Sequence, residues 1–529
     1  MAYHTIVYLF LFLPAVLLAY QAVPRKRRWV VLLAAGYIFF WSFSKKLVLF
    51  LMGTTLLVHY GGIWMEYLKF QCQREIQKIP KENRKAVKDK YRQKERGVLL
   101  GAVLVLLAVL GYLKYYNFFA QNVNWLAGHL GKEPILGMKT LILPIGISFY
   151  TLQAIGYLAD VYWEKIPAEK HLGKLGLFLA FFPQIMEGPI SMYGQTADAL
   201  WEGKPLRGEN LSAGCVRILW GLFKKMAVAD RLNVLVQAVF AHYEGYSGVV
   251  TAAAAVAYTI QLYMQFSGCM DIVIGSGRLF GVNLPENFCQ PFAAKNASEF
   301  WRRWHITLGV WLKTYVFYPV SVSRPVKKWN KFAKKHLGKY AAKMGVTILA
   351  LFPVWLCNGL WHGPKWNYIF YGMYYFVILV LEAAAEPLRD KVIQILHIRE
   401  EALWWKIPRI LKTWVIIFVG ELFFRAEGLR GGVKMFFSIF RDFHLERLWD
   451  GTFLNFGLDR GDYAVVAAGC LAAAVVGMCR ERKLLNEGMF KQLWTPVRWA
   501  VYYVLIFAVV IFGAYGIGYQ QVDLIYAGF

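Results

Sequence analysis

Long apolar runs separated by short charged stretches dominate the chain. Residues 5–20, 29–43 and 47–67 are three such runs in quick succession, set off by Arg25-Lys26-Arg27-Arg28 and by Lys45-Lys46. A helix rises about 1.5 Å per residue, so runs of about 20 apolar residues match the hydrocarbon thickness of a bilayer, and each run predicts a membrane-spanning helix. Residues 98–116 supply a fourth. Before it lies 74–96, with ten basic and four acidic residues. Basic loops stay on the cytoplasmic side, which places both 25–28 and 74–96 there. Two spans separate them, as that placement requires, and the N-terminus is expected to face outside. Residues 5–20 follow no basic segment and precede no small-residue cleavage site, so they are read as a retained span.

Further along, 121–139 is expected to be an external loop. The pattern then becomes irregular. Leu143-Pro144-Ile145-Gly146 precedes an apolar helix reaching Asp160, and the short run 175–185 is bracketed by Pro183 and Pro189. Broken backbone at membrane depth is tolerated only where protein or water covers it, so a re-entrant piece is expected here. Residues 215–239 carry Lys224, Lys225, Asp230 and Arg231 and suit an interfacial helix. The run 249–275 is interrupted by Gln261, Gln265 and Asp271, polar groups that should face a cavity or another helix. Runs at 366–385, 411–424, 463–476 and 498–515 complete an all-α polytopic architecture. It has about 10–12 crossings plus re-entrant segments. No repeat or separate soluble region is visible, so 1–529 reads as a single membrane domain with a core at about 140–385.

Composition agrees with this. The 529 residues are 58% hydrophobic and 17% aromatic, outside the range of ordinary soluble proteins. The net charge of +27 sits in clusters between apolar runs, as expected beside anionic lipid, and argues against nucleic acid as a partner. Seven scattered cysteines form no C-x-x-C pair and indicate neither a disulfide framework nor a zinc ribbon. Nucleotide-binding, serine-hydrolase and zinc-protease motifs are missing.

The candidate chemistry lies between Asn296 and Gly372. Two histidines, each directly after a tryptophan, stand 57 positions apart: Trp304-His305 and Trp361-His362. His362 ends the apolar run 344–361, with Asn358 one turn before it on the same helix face. It is either a structural histidine bonded to a neighbouring helix or a general base, since a buried imidazole stays neutral and can take a proton from a hydroxyl. Asn358 either packs between helices or orients the imidazole. Trp301, Trp304 and Trp311 with Arg302, Arg303 and Lys313 predict an aromatic-cationic helix. It is either an interfacial anchor or an entrance where Arg302, Arg303 and Lys313 meet a phosphate-bearing donor. The basic patch 324–343, free of acidic residues, is either simple topology or a docking face for an acidic carrier protein.

Several ordered blocks give the chain a resemblance. They are Leu143–Tyr150 with Asp160-Val161-Tyr162, Phe181-Phe182-Pro183-Gln184 with Gly188-Pro189, and Gly221–Lys225 through Asp230. Phe266-Ser267-Gly268 with Asp271, Pro285-Glu286-Asn287-Phe288, Phe300–His305, Trp361-His362-Gly363, Phe423-Phe424-Arg425-Ala426 and Phe512–Gly516 follow. Together they resemble the membrane-bound O-acyltransferase (MBOAT) family in its bacterial polysaccharide-modifying branch, across most of the chain. Lys313-Thr314-Tyr315 and Ser321–Arg324 depart from the alginate-type pattern, as does Gln265.

The resemblance implies a helical fold around a central tunnel, with His362 the main catalytic residue and His305 the second. A cytosolic thioester, acetyl-CoA or a phosphopantetheinyl acyl carrier, would be the donor, with no bound cofactor and no metal. The acyl group, acetyl by preference, would go to hydroxyls of an envelope polysaccharide, directly or through an exported SGNH-type partner. Asn358 and the Trp361 indole would face the oxyanion, with Trp304 in support. D-alanyl transfer towards teichoic acid and a non-catalytic acyl conduit are the alternatives. The setting would be the plasma or inner membrane.

Overall fold

The structure is a computed structural model describing residues 2–484 and 494–515. Helices account for nearly all regular structure, and among the described residues the only strand-like feature is one isolated antiparallel bridge, Phe288–Trp304. The chain divides into two compact units, 1–214 with 273–285 and 215–272 with 286–529. The helix Gly248–Leu279 belongs to the second unit up to Ile272 and to the first beyond it.

Among the described residues seven helical stretches are long and apolar enough to cross a membrane: Arg25–Gln77, Lys81–His129, Gly248–Leu279, Gly338–His362, Trp366–Ile395, Arg460–Glu481 and Thr495–Phe512. The first contains two long helices, Arg28–Ser44 and Val48–Gln77, joined at Lys45–Leu47. A shorter apolar helix covers Val7–Ala22. Leu18, Trp41, Leu104, Leu381 and Val504 are among many large apolar side chains left exposed. Water would penalise such a surface, whereas lipid accepts it.

In the first unit the aromatic side chains of Tyr3, Tyr8, Phe39 and Phe182 pack together, and the Tyr3 hydroxyl donates to the Phe182 carbonyl at 3.0 Å. The expected loop at 121–139 is helical in its first half, because Tyr116–His129 continues the preceding helix. Leu172–Ala180 has only nine residues and is followed by buried irregular backbone through Ser191. Gly146, at φ +80°, begins Ile147–Tyr162 with its α-carbon against the Ile185 carbonyl oxygen, a place with no room for a Cβ.

The helix Gly208–Leu222, in the second unit from Cys215 on, runs into a π-helical turn at Phe223–Ala229 and then Asp230–Ala241. The wider turn sets Lys225 beside Asp230, five positions on, and the ammonium meets both carboxylate oxygens at 2.9 Å. Gly338–His362 and Trp366–Ile395 form a tight antiparallel pair. A Cβ at Gly359 would lie 2.5 Å from the Tyr368 carbonyl oxygen, and one at Gly372 would press on that of Trp355. Paired glycines of this kind let membrane helices approach at backbone distance. Gly513–Tyr515, inside the expected span 498–515 and the block Phe512–Gly516, lie beyond the end of the helix Thr495–Phe512. Residues 516–529 lie outside the described residues.

Candidate active site

His362 is the last residue of Gly338–His362, and Gly363-Pro364 turns the chain into the next helix. Asn358, one turn earlier, is buried with it, at 5% and 7% exposure. The imidazole is walled by aromatic rings. Tyr371 stands edge-on at 5.7 Å between centroids, Phe424 edge-on at 4.9 Å, and Tyr368 lies at 6.4 Å. Tyr371 and Tyr368 come from the next helix, Phe424 from Leu403–Arg425. The Tyr371 hydroxyl donates to Glu421 Oε1 at 2.9 Å. Trp361 is buried beside His362.

The second histidine is held differently. The expected helix through it breaks. Ala297–Arg303 ends at Trp304, His305 adopts a left-handed conformation (φ +46°, ψ +51°), and Ile306–Leu312 begins beyond. Left-handed backbone is uncommon outside glycine and costs of order 1 kcal/mol or more, so the surroundings must impose it. They do so by clamping both sides. Asn296 caps the first helix by accepting from the Glu299 amide at 2.7 Å, and Glu382 accepts from the Ala297 and Ser298 amides. On the far side the Cys289 amide donates to the Arg303 carbonyl and the Ile306 amide to the Asn287 carbonyl. His305 is thereby buried, its ring edge-on to Phe266 at 4.9 Å and its Nδ1 3.2 Å from Asn287 Oδ1. It lies outside the membrane-spanning helices, and burial pushes its imidazole down to about 3, so it is neutral at working pH.

Trp304 packs on Phe300 and Phe288 at 5.4 and 5.1 Å and is a wall of this clamp. Trp301, one turn before His305, reaches the other centre. It meets Trp355 at 4.9 Å, Tyr375 at 4.8 Å and Tyr371 at 6.2 Å. Tyr371 therefore touches both His362 and Trp301, which stands four positions before His305.

The three cations expected at one entrance do not gather. Arg303 is engaged with Glu299 at 2.9 Å and Glu481 at 2.7 Å. Lys313 extends over the Tyr318 ring at 5.7 Å. Arg302 alone lines a cleft of about 670 Å³ with Lys295, Glu382, Arg389, Arg409 and Lys412. A second cavity, of about 250 Å³, contains a charge cluster in which Asp271 bonds Arg217 and, at 2.6 Å, Lys224. Arg217 also grips Glu286 through two bonds of 2.8 and 2.6 Å.

At the His362 site, Glu421 and Tyr371 were not singled out by sequence reasoning, and Phe424 was named only as part of the block Phe423–Ala426. Glu421 did carry a signal, a carboxylate inside the apolar run 411–424. Tyr371 carried none, because aromatic residues are everywhere in this chain.

A helical membrane protein with two buried histidines in the segment 296–372 has the makings of a proton-transfer enzyme. Comparison with known proteins gives its class. A model of the membrane-bound O-acyltransferase family (MBOAT) matches residues 174–417. A protein named "Probable alginate O-acetylase" from Pseudomonas putida is 32% identical over 444 residues, 83% of this chain and 80% of the relative. The peptidoglycan O-acetyltransferase of Helicobacter pylori is 28% identical, covering 82% and 78%. The teichoic acid D-alanyltransferase of Bacillus subtilis is 27% identical over 55% of this chain and 69% of its own length. The chain belongs to the membrane-bound O-acyltransferase family and is a multi-pass membrane enzyme that transfers an acyl group to a hydroxyl.

Proposed function

We propose that this enzyme moves an acetyl group from a thioester at the cytoplasmic face to hydroxyls of a polysaccharide outside the cell or in its envelope, with His362 as general base. The observation that carries the reading is the buried His362–Asn358 pair at a helix end, walled by aromatic rings. Such a wall keeps water away while an imidazole exchanges protons. The alginate and peptidoglycan O-acetylating relatives, each aligned over more than four-fifths of the chain, support acetyl and a glycan acceptor.

In the proposed step His362 takes the proton of the acceptor hydroxyl while its oxygen attacks the thioester carbonyl. The tetrahedral oxyanion is met by N–H donors, for which the Asn358 amide and Trp361 indole are the nearest candidates in sequence. Collapse breaks the C–S bond, and the imidazolium returns its proton to the departing thiolate. The acceptor is the glycan itself or a nucleophile on an exported SGNH-type partner. His305 supports this chemistry from the neighbouring clamp.

For the donor, acetyl-CoA or a phosphopantetheinyl carrier, the cleft around Arg302 suits a phosphate. Five cations line it against two carboxylates, Glu382 and Glu386. The exposed helix Arg324–His336, with six Lys or Arg side chains and no acid, suits an acidic carrier protein in the same role. The plasma or inner membrane is the proposed location, with 1–529 acting as one membrane domain.

The test is chemical. Cells carrying His362→Ala as the sole copy should lose base-labile acetate from their envelope polysaccharide while the protein accumulates normally in the membrane. Wild-type acetate in that strain would sink the assignment of His362. Release of D-alanine in place of acetate would favour the activity named for the Bacillus relative.

A further inference from the structure

We infer that Asn287 is the positioning residue for His305, fixing its imidazole as the Nδ1–H tautomer so that Nε2 carries the lone pair. The inference rests on the reading of His305 as the second histidine of the acyltransferase, but its structural part stands alone.

Asn287 is 1% exposed and sits in the loop that follows Pro285. Its Oδ1 accepts from the Thr307 amide at 3.0 Å and from the Thr307 hydroxyl at 2.9 Å, and it lies 3.2 Å from His305 Nδ1. A backbone amide can only donate, so the atom facing Thr307 is the carbonyl oxygen of the asparagine. A carbonyl oxygen can only accept, so the proton on this edge of the imidazole belongs to Nδ1. A neutral imidazole carries one proton, which leaves Nε2 as the basic nitrogen. The tautomer thus follows from donor and acceptor logic without any hydrogen being seen.

The loop is itself braced. Glu286 is gripped twice by Arg217, which also bonds the buried Asp271. The Asn287 carbonyl accepts from Ile306, on the other side of His305. Asn287 Nδ2 is turned towards Met270 Sδ at 3.3 Å, so its oxygen and nitrogen ends have different partners and the amide has a preferred orientation. The left-handed backbone at His305 makes sense here, because it brings Nδ1 and the Thr307 amide to the same oxygen. A side chain held by one ring nitrogen offers the other at a fixed angle, which is what proton exchange needs.

Two measurements decide the matter. The full chain, labelled with 15N-histidine in detergent, gives the protonation of each ring nitrogen, with His305 assigned by its loss in His305→Gln. The expected spectrum has His305 protonated at Nδ1 and bare at Nε2 at neutral pH. Asn287→Ala should let both tautomers appear, whereas Asn287→Asp, which keeps the acceptor, should retain the first. In cells, Asn287→Ala should lower polysaccharide acetate by about tenfold or more, and Asn287→Asp should recover much of it. A wild-type protein protonated at Nε2 would overturn the inference, as would an unchanged tautomer in Asn287→Ala. If Asn287→Ala does not fold, equal loss in a folded Asn287→Asp with a lost tautomer preference does the same. Full acetylation by His305→Gln, with the expected spectrum, would instead remove the functional reading of His305 and leave the tautomer standing.

Discussion

Tyr371→Phe removes one oxygen atom from the wall of the His362 site and isolates what that atom does. The hydroxyl donates to Glu421 at 2.9 Å, and the two residues are 2% and 0% exposed. Glu421 Oε2 has no partner of its own among the described residues. Without the hydroxyl, the carboxyl group loses that hydrogen bond in a region water does not reach. Leaving a buried polar group unsatisfied costs about 1–3 kcal/mol. Glu421→Gln keeps an acceptor and should cost less than about 1 kcal/mol. Adding Glu421→Leu to Tyr371→Phe replaces both partners with apolar groups and should recover much of the loss, giving a coupling of about 1–2 kcal/mol in the double-mutant cycle. Unfolding of purified protein in mixed micelles titrated with SDS reads these differences.

Catalysis should divide along another line. Phenylalanine keeps the ring that stands edge-on to both His362 and Trp301, so transfer by Tyr371→Phe should fall by less than about tenfold. Tyr371→Ala removes the ring, and a displacement of about 1 Å at a reacting group can cost about 100-fold. Equal loss of transfer in Phe and Ala variants would refute the view that the ring holds His362. Undiminished stability in Tyr371→Phe would refute the role given to the hydrogen bond.

Other expectations follow from the same geometry. Lys225→Met removes the ammonium that meets both carboxylate oxygens of Asp230, in a pair 0% and 1% exposed, and should destabilise by about 3–5 kcal/mol in the same titration, with Lys225→Met/Asp230→Leu much less affected. Arg302→Glu should raise the apparent KM for the thioester about tenfold with little change in stability, whereas Arg303→Ala, which breaks bonds to Glu299 and Glu481, should act mainly on stability, by about 1–2 kcal/mol. Gly372→Ala forces a Cβ against the Trp355 carbonyl and should cost about 1–3 kcal/mol, seen as a lower yield of monodisperse protein. His305 titrates at about 3 when folded, against 6.5 when free. The unfolded state therefore binds the extra proton between those values, and stability falls as pH drops below 6.5. From pH 7.5 to 5 the wild type should lose about 2 kcal/mol more than His305→Gln.

How much of this was legible in the sequence depends on how far each feature reaches along the chain. Asn358 and His362 could be paired beforehand because one helix carries both, and a spacing of four fixes a shared face. The long apolar helices were visible for the same reason, although their ends were misjudged where the apolar pattern stops and the helix does not, as in Trp366–Ile395. The break at His305 was not visible. Nothing in Trp304-His305-Ile306 disfavours a helix, and the turn is imposed by a loop 18 residues upstream. Arg302 and Arg303 looked alike for a related reason. Adjacent side chains on a helix point about 100° apart, so one faces a cleft and the other two carboxylates, and only tertiary partners tell them apart. Glu421 is the instructive case. A carboxylate in an apolar run is expensive enough to announce a buried partner, yet the sequence does not say which. That partner, Tyr371, lies 50 residues away on another helix, and its ring stands edge-on to both His362 and Trp301. In a chain so rich in aromatic residues, the costly polar atom is a better pointer to the site than any ring.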